Sequence, residues 1–155
     1  MSAALAGFGV CLAALLAALA WIDWRKMILP DWLNALLALA GLAQSLALRD
    51  PEPWDALAGG LVAGGLMFAV AGFYRHARGV DGLGLGDVKL AAAGAMWTGL
   101  AGIGPMLLVA SASAGASIAA RALRDGRLDV GARHPFGPWL ALGVFSAWLL
   151  THLWR

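Results

Sequence analysis

The chain has 155 residues, of which 61% are hydrophobic and 13% are charged. Soluble globular domains contain about half apolar and about a quarter charged residues, so this composition excludes a soluble domain and indicates a membrane-embedded one. The net charge is only +2, and the basic residues lie in short loops between apolar runs, which excludes a basic face for nucleic acid. The single cysteine, Cys11, excludes an internal disulfide and a cysteine-cluster zinc site, and its apolar surroundings predict a small buried residue.

The first apolar run, residues 3–22, contains no charged residue. Twenty helical residues rise about 30 Å, which matches one hydrocarbon thickness. No basic residue precedes the run, and the run is longer than the apolar part of a typical signal peptide. We therefore expect a retained transmembrane helix, which ends where Trp21, Trp24 and Arg25 mark a membrane interface.

Further apolar runs follow along the chain. Pro30 is suited to opening a second helix, and a polar turn at residues 49–53 ends that helix. Gly60 and Gly64 in the third run have the small-xxx-small spacing that favours close helix contact. Together the runs predict an all-α integral membrane protein, a single domain over residues 1–155 with six transmembrane helices at 3–22, 30–48, 54–73, 87–98, 106–120 and 136–153.

A glycine-rich loop precedes the fourth helix, where Gly82, Gly84 and Gly86 alternate with leucines. These glycines allow the backbone to bend without a Cβ penalty. Asp87 follows them at the mouth of an apolar run, and an ionisable residue in that position is a candidate functional residue in a membrane protein. An aspartate between a glycine and a helical run is also typical of an ordinary helix N-cap.

The fourth helix is short, because a glycine-rich turn at residues 99–104 follows it. The eleven residues from Val88 to Thr98 rise only about 16 Å, which is about half of a hydrocarbon core about 30 Å thick. Asp87 should therefore lie below the membrane surface. Irregular backbone at that depth is tolerated only when it packs in protein or lines water, so we expect a polar cleft with Asp87 at its floor and Asp23 on its wall.

Two groups of residues are predicted to stabilise the bundle. Most of the eight tryptophans stand near span ends, which indicates an interfacial belt. The fifth run carries small residues typical of a helix-packing surface, namely Ser111, Ser113, Gly115 and Ser117.

Basic residues are distributed unevenly across the membrane. With six spans, the loops 1–2, 3–4 and 5–6 share one side. These loops and their flanks contain nine of the eleven Lys and Arg residues, namely Arg25, Lys26, Arg75, Arg78, Lys89, Arg121, Arg124, Arg127 and Arg133. The positive-inside rule makes this side cytoplasmic and both termini extracytoplasmic. Asp23 and Asp87 then face the same side.

Two carboxylates at one membrane depth, on different helices, can share a proton and activate a water between them. One acts as general base and the other as general acid, which allows amide hydrolysis without a metal or a nucleophilic side chain. Asp23 on its own, beside Arg25 and Lys26, would also fit a solvated interfacial residue. Together with Asp87 it indicates a catalytic pair.

Three motifs resemble those of the type IV prepilin leader peptidases. The stretch Gly84–Asp87, followed by Val88–Leu90, resembles the family's GxGD motif and its short apolar tail with lysine. Asp23–Pro30 resembles the first aspartate motif, and His134–Gly143 resembles the Pro-aromatic-Gly-Pro stretch that leads into the final helix. The motifs occur in the family's order and cover essentially the whole chain.

The resemblance implies an aspartyl endopeptidase of the bacterial inner membrane that removes the basic leader from type IV prepilins or pseudopilins at the cytoplasmic face. Asp23 and Asp87 match the catalytic pair, and Gly84, Gly86 and Lys89 are candidates for substrate binding or loop shaping. No cofactor or metal is implied, and the implied partners are the prepilin and the lipid bilayer.

Larger members of this family carry an N-terminal soluble insertion with paired cysteines, which is associated with N-methylation of the new amino terminus. The chain shows no such insertion, and Cys11 cannot replace the cysteine pairs. It therefore resembles the short, peptidase-only branch, and we expect no methyltransferase activity.

Two other functions fit the sequence less well. A small channel or transporter could use the glycine loop as a broken-helix site, but no inverted repeat is visible between the two halves. A serine intramembrane protease could pair Ser117 with His134 or His152, although serines in such helices usually serve packing. Asp31 is predicted to be a first-turn acid that complements the N-terminus of the second helix.

Overall fold

A computed structural model describes residues 2–78, 83–126 and 135–153, without the side chains of Arg78 and Leu153. These ranges are helical and contain no strand. The helices are α1 (Ala3–Lys26), α2 (Asp31–Leu48), α3 (Pro53–Arg78), α4 (Leu85–Ala95), α5 (Ile103–Asp125) and α6 (Gly137–Leu153), with a 3₁₀ turn at Leu100–Gly102. The all-α prediction is therefore confirmed for the described residues.

Four helical segments are long and apolar enough to cross a membrane: α1, α2, α3, and α5 together with the preceding 3₁₀ turn. The other two predicted spans are also helical but shorter, with 11 residues in α4 and 17 in α6. The number of helices in the described ranges therefore agrees with the predicted number of spans. How many of them cross the bilayer completely stays a prediction.

The connection from α1 to α2 is short and determines where two acidic residues lie. Met27 ends α1 in the left-handed region (φ 52°), and its N–H donates to the carbonyl of Asp23 at 2.8 Å. Pro30 then stands at the N-cap of α2, which agrees with its predicted place at the start of that helix. Asp23 consequently lies in the last turn of α1, and Asp31 lies in the first turn of α2.

The short helix α4 lies inside the bundle, where it packs against α2, α3 and α6. It begins two residues before Asp87 and ends at Ala95, so it stops earlier than predicted. Its eleven residues rise about 16 Å, as expected of a helix that does not span the bilayer. The prediction that Gly60 and Gly64 allow close helix contact is confirmed, because a Cβ on Gly64 would lie 3.1 Å from Ala92 of α4.

A buried amide joins the ends of several helices on the side of the bundle opposite to the start of α4. The side chain of Gln44 is fully buried and donates to the carbonyls of Asp50 at 3.0 Å and Trp97 at 3.3 Å. Its Oε1 accepts the indole N–H of Trp148 at 2.9 Å. The indole N–H of Trp97 in turn donates to the carbonyl of Leu37. These bonds connect α2, the residues after α4, and α6.

The prediction of a tryptophan belt is wrong for two residues. Trp97 and Trp148 are 0% and 2% exposed and form the buried hydrogen bonds described above. The indole N–H groups have hydrogen-bond partners inside the protein, so these rings do not need to lie at the membrane interface to satisfy them. The described tryptophans that do stand exposed, as a belt requires, are Trp21, Trp24, Trp32 and Trp54.

Two further packing predictions are also wrong. Cys11 is exposed on the surface of α1 instead of being buried. On α5, Ser111 and Gly115 are exposed, and a Cβ on Gly115 would meet nothing within 4 Å. Helix α5 packs on α6 through its first half instead, because a Cβ on Gly143 would lie 3.1 Å from the Ala110 side chain.

Replacing Gln44 by Met should lower the free energy of unfolding by about 2–4 kcal/mol, because the indole of Trp148 and the carbonyls of Trp97 and Asp50 would lose a hydrogen-bond partner. Thermal unfolding in detergent would measure the loss. Ala43→Met is the matched control, since Ala43 is the exposed neighbour on the same helix. Equal midpoints for the two variants would contradict the structural role of the amide.

Candidate active site

Asp23 is held in place by the start of α6. The residue is buried, with 6% of its surface exposed, and its Oδ2 accepts the backbone N–H of Gly137 at 3.0 Å. A Cβ on Gly137 would lie only 2.6 Å from the same oxygen, so a larger residue at that position would displace the carboxylate. The first aspartate motif and the Pro-Phe-Gly-Pro stretch therefore meet in space.

Asp87 lies in the first turn of α4 and is partly buried. Gly84 occupies the N-cap of this helix, and no side chain caps it. The backbone N–H of Asp87 donates to the carbonyl of Gly84 at 3.1 Å. Asp87 is therefore not the N-cap residue of α4, although its carboxylate accepts a hydrogen bond from the backbone of Gly84, which is.

Both aspartates line one cavity of about 350 Å³. Asp23 is close enough for its charge to act on Asp87. The walls come from the end of α1, the link to α2 and the start of α4, and the remaining lining residues are Met27, Ile28, Leu29, Asp31, Gly84, Leu85, Gly86 and Lys89. The structure thus brings together two carboxylates that are far apart in the sequence, as predicted.

The family model described as the type IV leader peptidase family matches residues 10–120, a stretch that contains both aspartates. The chain belongs to the type IV leader peptidase family. The resemblance stated from the three motifs is thereby confirmed.

Several curated relatives are named prepilin leader peptidase/N-methyltransferase. The protein from Burkholderia pseudomallei is 39% identical over 141 residues, which cover 91% of this chain and 45% of that protein. The protein from Xanthomonas campestris pv. campestris is 36% identical, with coverages of 88% and 47%, and that from Escherichia coli is 34% identical, with coverages of 83% and 58%. The chain spans about half the length of the curated relatives it matches. No solved structure matches the chain.

The glycines of the leader peptidase GxGD motif line the cavity, and Gly86 also makes a close contact. A Cβ on Gly86 would lie 3.0 Å from the Cβ of Leu29, a buried residue in the link between α1 and α2. Gly86 therefore lets the start of α4 approach that link. This contact between α4 and the α1–α2 link was not predicted. From the sequence, Gly86 was expected only to let the loop backbone bend or to bind the substrate.

Lys89 pairs with Asp31, which sequence analysis did not predict. Its Nζ lies 2.7 Å from Asp31 Oδ1, and both side chains are at least half exposed. An exposed ion pair of this kind contributes about 0–1 kcal/mol. Lys89 thus has a partner other than Asp23 and Asp87. Asp31 lies in the first turn of α2, as predicted, and in addition forms an ion pair with α4.

The serine protease alternative does not agree with the described residues. Helices α5 and α6 run antiparallel, since Gly143 packs near Met106 and Ala110. His152 lies at the end of α6 near Leu100 and Asp50, whereas Ser117 lies in the other half of α5.

Several residues named from the sequence lie outside the described residues. Gly82 of the glycine loop, and Arg127, Arg133 and His134 of the basic loop before α6, belong to this group. Within the described ranges, no three His, Cys, Asp or Glu side chains come together in a way that could hold a metal ion.

Proposed function

We propose that this chain is a membrane aspartyl endopeptidase that removes the leader peptide from type IV prepilins or pseudopilins. The observation that carries the proposal is the shared cavity of Asp23 and Asp87, which come from two different helices. Membership of the leader peptidase family and the names of the relatives favour this function over a channel or transporter. The proposed enzyme is one membrane-embedded peptidase domain that uses no cofactor.

In the proposed reaction the two carboxylates share one proton and bind a water between them. The ionised carboxylate takes a proton from the water as the water oxygen attacks the scissile carbonyl carbon. The protonated carboxylate then gives its proton to the amide nitrogen as the C–N bond breaks. The products are a carboxylic acid on the leader and a free amine on the remaining chain, so one water is consumed for each bond.

The hydrogen bond from Gly137 orients one of the two carboxylates before any substrate arrives. A carboxylate that is already fixed does not lose rotational freedom when the water binds, which lowers the cost of reaching the reactive geometry. Burial of Asp23 at 6% exposure also limits competing contacts with bulk water. In this proposal Gly137 is a positioning residue and does not touch the substrate.

We further propose that the cavity opens toward the cytoplasm in the bacterial inner membrane, with both termini on the other side. The cavity lies where α1 ends and where α2 and α4 begin. The basic residues on this side at the ends of α1, α3 and α5 support the orientation through the positive-inside rule, namely Arg25, Lys26, Arg75, Arg121 and Arg124.

Replacing either Asp23 or Asp87 by Asn should reduce cleavage of a pilin precursor by about 10³-fold or more, because the amide keeps the shape but cannot exchange the proton. The double variant should be no worse than either single one, since the two groups act as a unit. A gel-shift cleavage assay in membranes measures this. Asp125→Asn, at the exposed end of α5, is the control. Substantial activity in Asp23→Asn at normal expression would remove Asp23 from the mechanism.

Replacing Gly137 by Ala should lower kcat by about 10- to 100-fold through displacement of the Asp23 carboxylate. The KM should change little, because the variant leaves the rest of the cavity intact. Gly104→Ala is the matched control, since a Cβ there meets nothing within 4 Å. If both variants kept full kcat, the positioning role of Gly137 would be refuted.

Cysteine labelling tests the proposed orientation. In a Cys11→Ala background, needed because Cys11 is exposed, a cysteine at Glu52 should react with a membrane-impermeant maleimide added to intact spheroplasts. A cysteine at Arg124 should react only after the membrane is opened. Both residues are exposed and lie at opposite ends of the bundle. Labelling of Arg124→Cys in intact spheroplasts would reverse the orientation and remove the cytoplasmic assignment.

A further inference from the structure

The carboxylate of Asp87 takes part in the hydrogen bonding that begins α4. Gly84 is the N-cap of this helix, and Asp87 follows it in the first turn. The backbone N–H of Asp87 donates to the carbonyl of Gly84 at 3.1 Å, and the Asp87 carboxylate accepts a hydrogen bond from the Gly84 backbone in return. In a capping box, the side chain three residues after the N-cap reaches back to the N-cap N–H in the same way.

Neither the backbone nor the packing at position 84 requires a glycine. Gly84 has φ −73° and ψ 146°, an extended conformation that any residue adopts. A Cβ there would lie 3.4 Å from Asp87 Oδ2, which is an ordinary van der Waals contact, and 3.9 Å from the backbone nitrogen of Gly86. The carboxylate oxygen of Asp87 is therefore the nearest atom that a side chain at this position would meet.

The chemistry of the usual N-cap residues explains why a glycine suits this position. Helices prefer Ser, Thr, Asp and Asn at the N-cap, because the side-chain oxygen accepts an N–H of the first turn. Any of these at position 84 would bring a second polar group against the Asp87 carboxylate. A hydroxyl or an amide would donate to it in competition with the attacking water, and a carboxylate would repel it. Glycine is also tolerated at the N-cap, and it offers the carboxylate only its backbone N–H.

We infer that Gly84 is a positioning residue for Asp87, whose carboxylate is held in the reactive orientation by the Gly84 N–H. The inference rests on the proposed peptidase function, because it assigns a role within the same active site. From the sequence, Gly84 was a candidate for substrate binding or loop shaping, and this role differs from both. Gly137 does the same for Asp23 from α6, so each aspartate of the pair accepts one glycine N–H.

The two glycines before Asp87 consequently have separate roles. Gly84 orients the carboxylate relative to its own helix. Gly86 lets the first turn of that helix approach the link after α1, since a Cβ on Gly86 would lie 3.0 Å from the Cβ of Leu29. A carboxylate that is already oriented loses less rotational freedom when the water binds. A change at position 84 should therefore affect turnover more than substrate affinity.

Removal of the donor provides the first test. Proline has no backbone N–H, and its fixed φ of about −65° is close to the −73° of Gly84. Gly84→Pro should lower kcat for a pilin-precursor peptide by about 10- to 100-fold and change KM by less than about twofold. Gly84→Ala keeps the N–H and adds a methyl group in ordinary contact, so it should recover most of that loss. A parent-like kcat in Gly84→Pro would overturn the proposal.

Replacing Gly84 by Ser separates positioning from structure. The hydroxyl completes the capping box, so the thermal midpoint in detergent should stay equal or rise. The same hydroxyl lies against the Asp87 carboxylate, so kcat should fall by about tenfold. Gly104→Ser is the matched control, because a Cβ there meets nothing within 4 Å, and it should change neither quantity.

Two results of the serine variant would contradict the proposal. A lower midpoint together with a lower kcat would assign Gly84 a purely structural role. An unchanged kcat in Gly84→Ser would also overturn the positioning role, whether or not Gly84→Pro folds.

Amide exchange tests the hydrogen bond without turnover. In glycine-labelled protein in nanodiscs, the Gly84 N–H should exchange about tenfold faster in Asp87→Ala, because a hydrogen bond to a carboxylate is lost. The amide of Gly94, inside the same helix, should keep its rate. Unchanged exchange at Gly84 would overturn the positioning role and leave the peptidase function standing. Conversely, full cleavage by Asp87→Asn would refute the proposed function, while the exchange of Gly84 would still report the hydrogen bond.

Discussion

The hydrogen bonds of Gln44 connect the residues just after α4 to α2 and α6 and hold that end of α4 inside the bundle. The bilayer core supplies no water to a buried amide, so Gln44 can be buried only where protein groups satisfy it. The carbonyl of Trp97, two residues beyond the last residue of α4, is one of those groups. The indole of Trp148 supplies the donor from α6. The eleven residues of α4 rise about 16 Å from that end, which is about half of a hydrocarbon core about 30 Å thick.

The two aspartates meet because each is held by backbone rather than by another charge. Asp23 is fixed by an N–H of α6, and Asp87 is fixed by its place in the first turn of an anchored helix. Lys89 lies two residues further along α4, and it pairs with Asp31 instead of Asp23 or Asp87. A lysine bound to one of the aspartates would hold that carboxylate in its ionised state and oppose the sharing of a proton. The ion pair between Lys89 and Asp31 therefore keeps the lysine charge away from Asp23 and Asp87.

Features that depend on a local sequence pattern could be predicted, whereas contacts between residues far apart in the chain could not. Apolar length predicted the helices, and the short fourth helix together with the distribution of the basic residues predicted that Asp23 and Asp87 share a cavity. The bond between Gly137 and Asp23 joins residues 114 positions apart, and that between Gln44 and Trp97 joins residues 53 apart. Neither hydrogen bond corresponds to a local pattern in the sequence. A tryptophan near a span end also has similar sequence surroundings whether its ring is exposed, as that of Trp54 is, or bonded to a buried amide, as that of Trp148 is.

The hydrogen bond between Asp23 and Gly137 has a consequence for biosynthesis. A nascent chain emerges from its N-terminus, so Asp23 and Asp87 leave the ribosome well before the donor that fixes Asp23. Until α6 is synthesised and inserted, Asp23 lacks the N–H of Gly137 and the wall that buries it. A partly translated chain would thus contain both aspartates without an ordered pair. In the proposed enzyme the ordered pair of aspartates therefore forms only after α6 has been inserted and the helical bundle is complete.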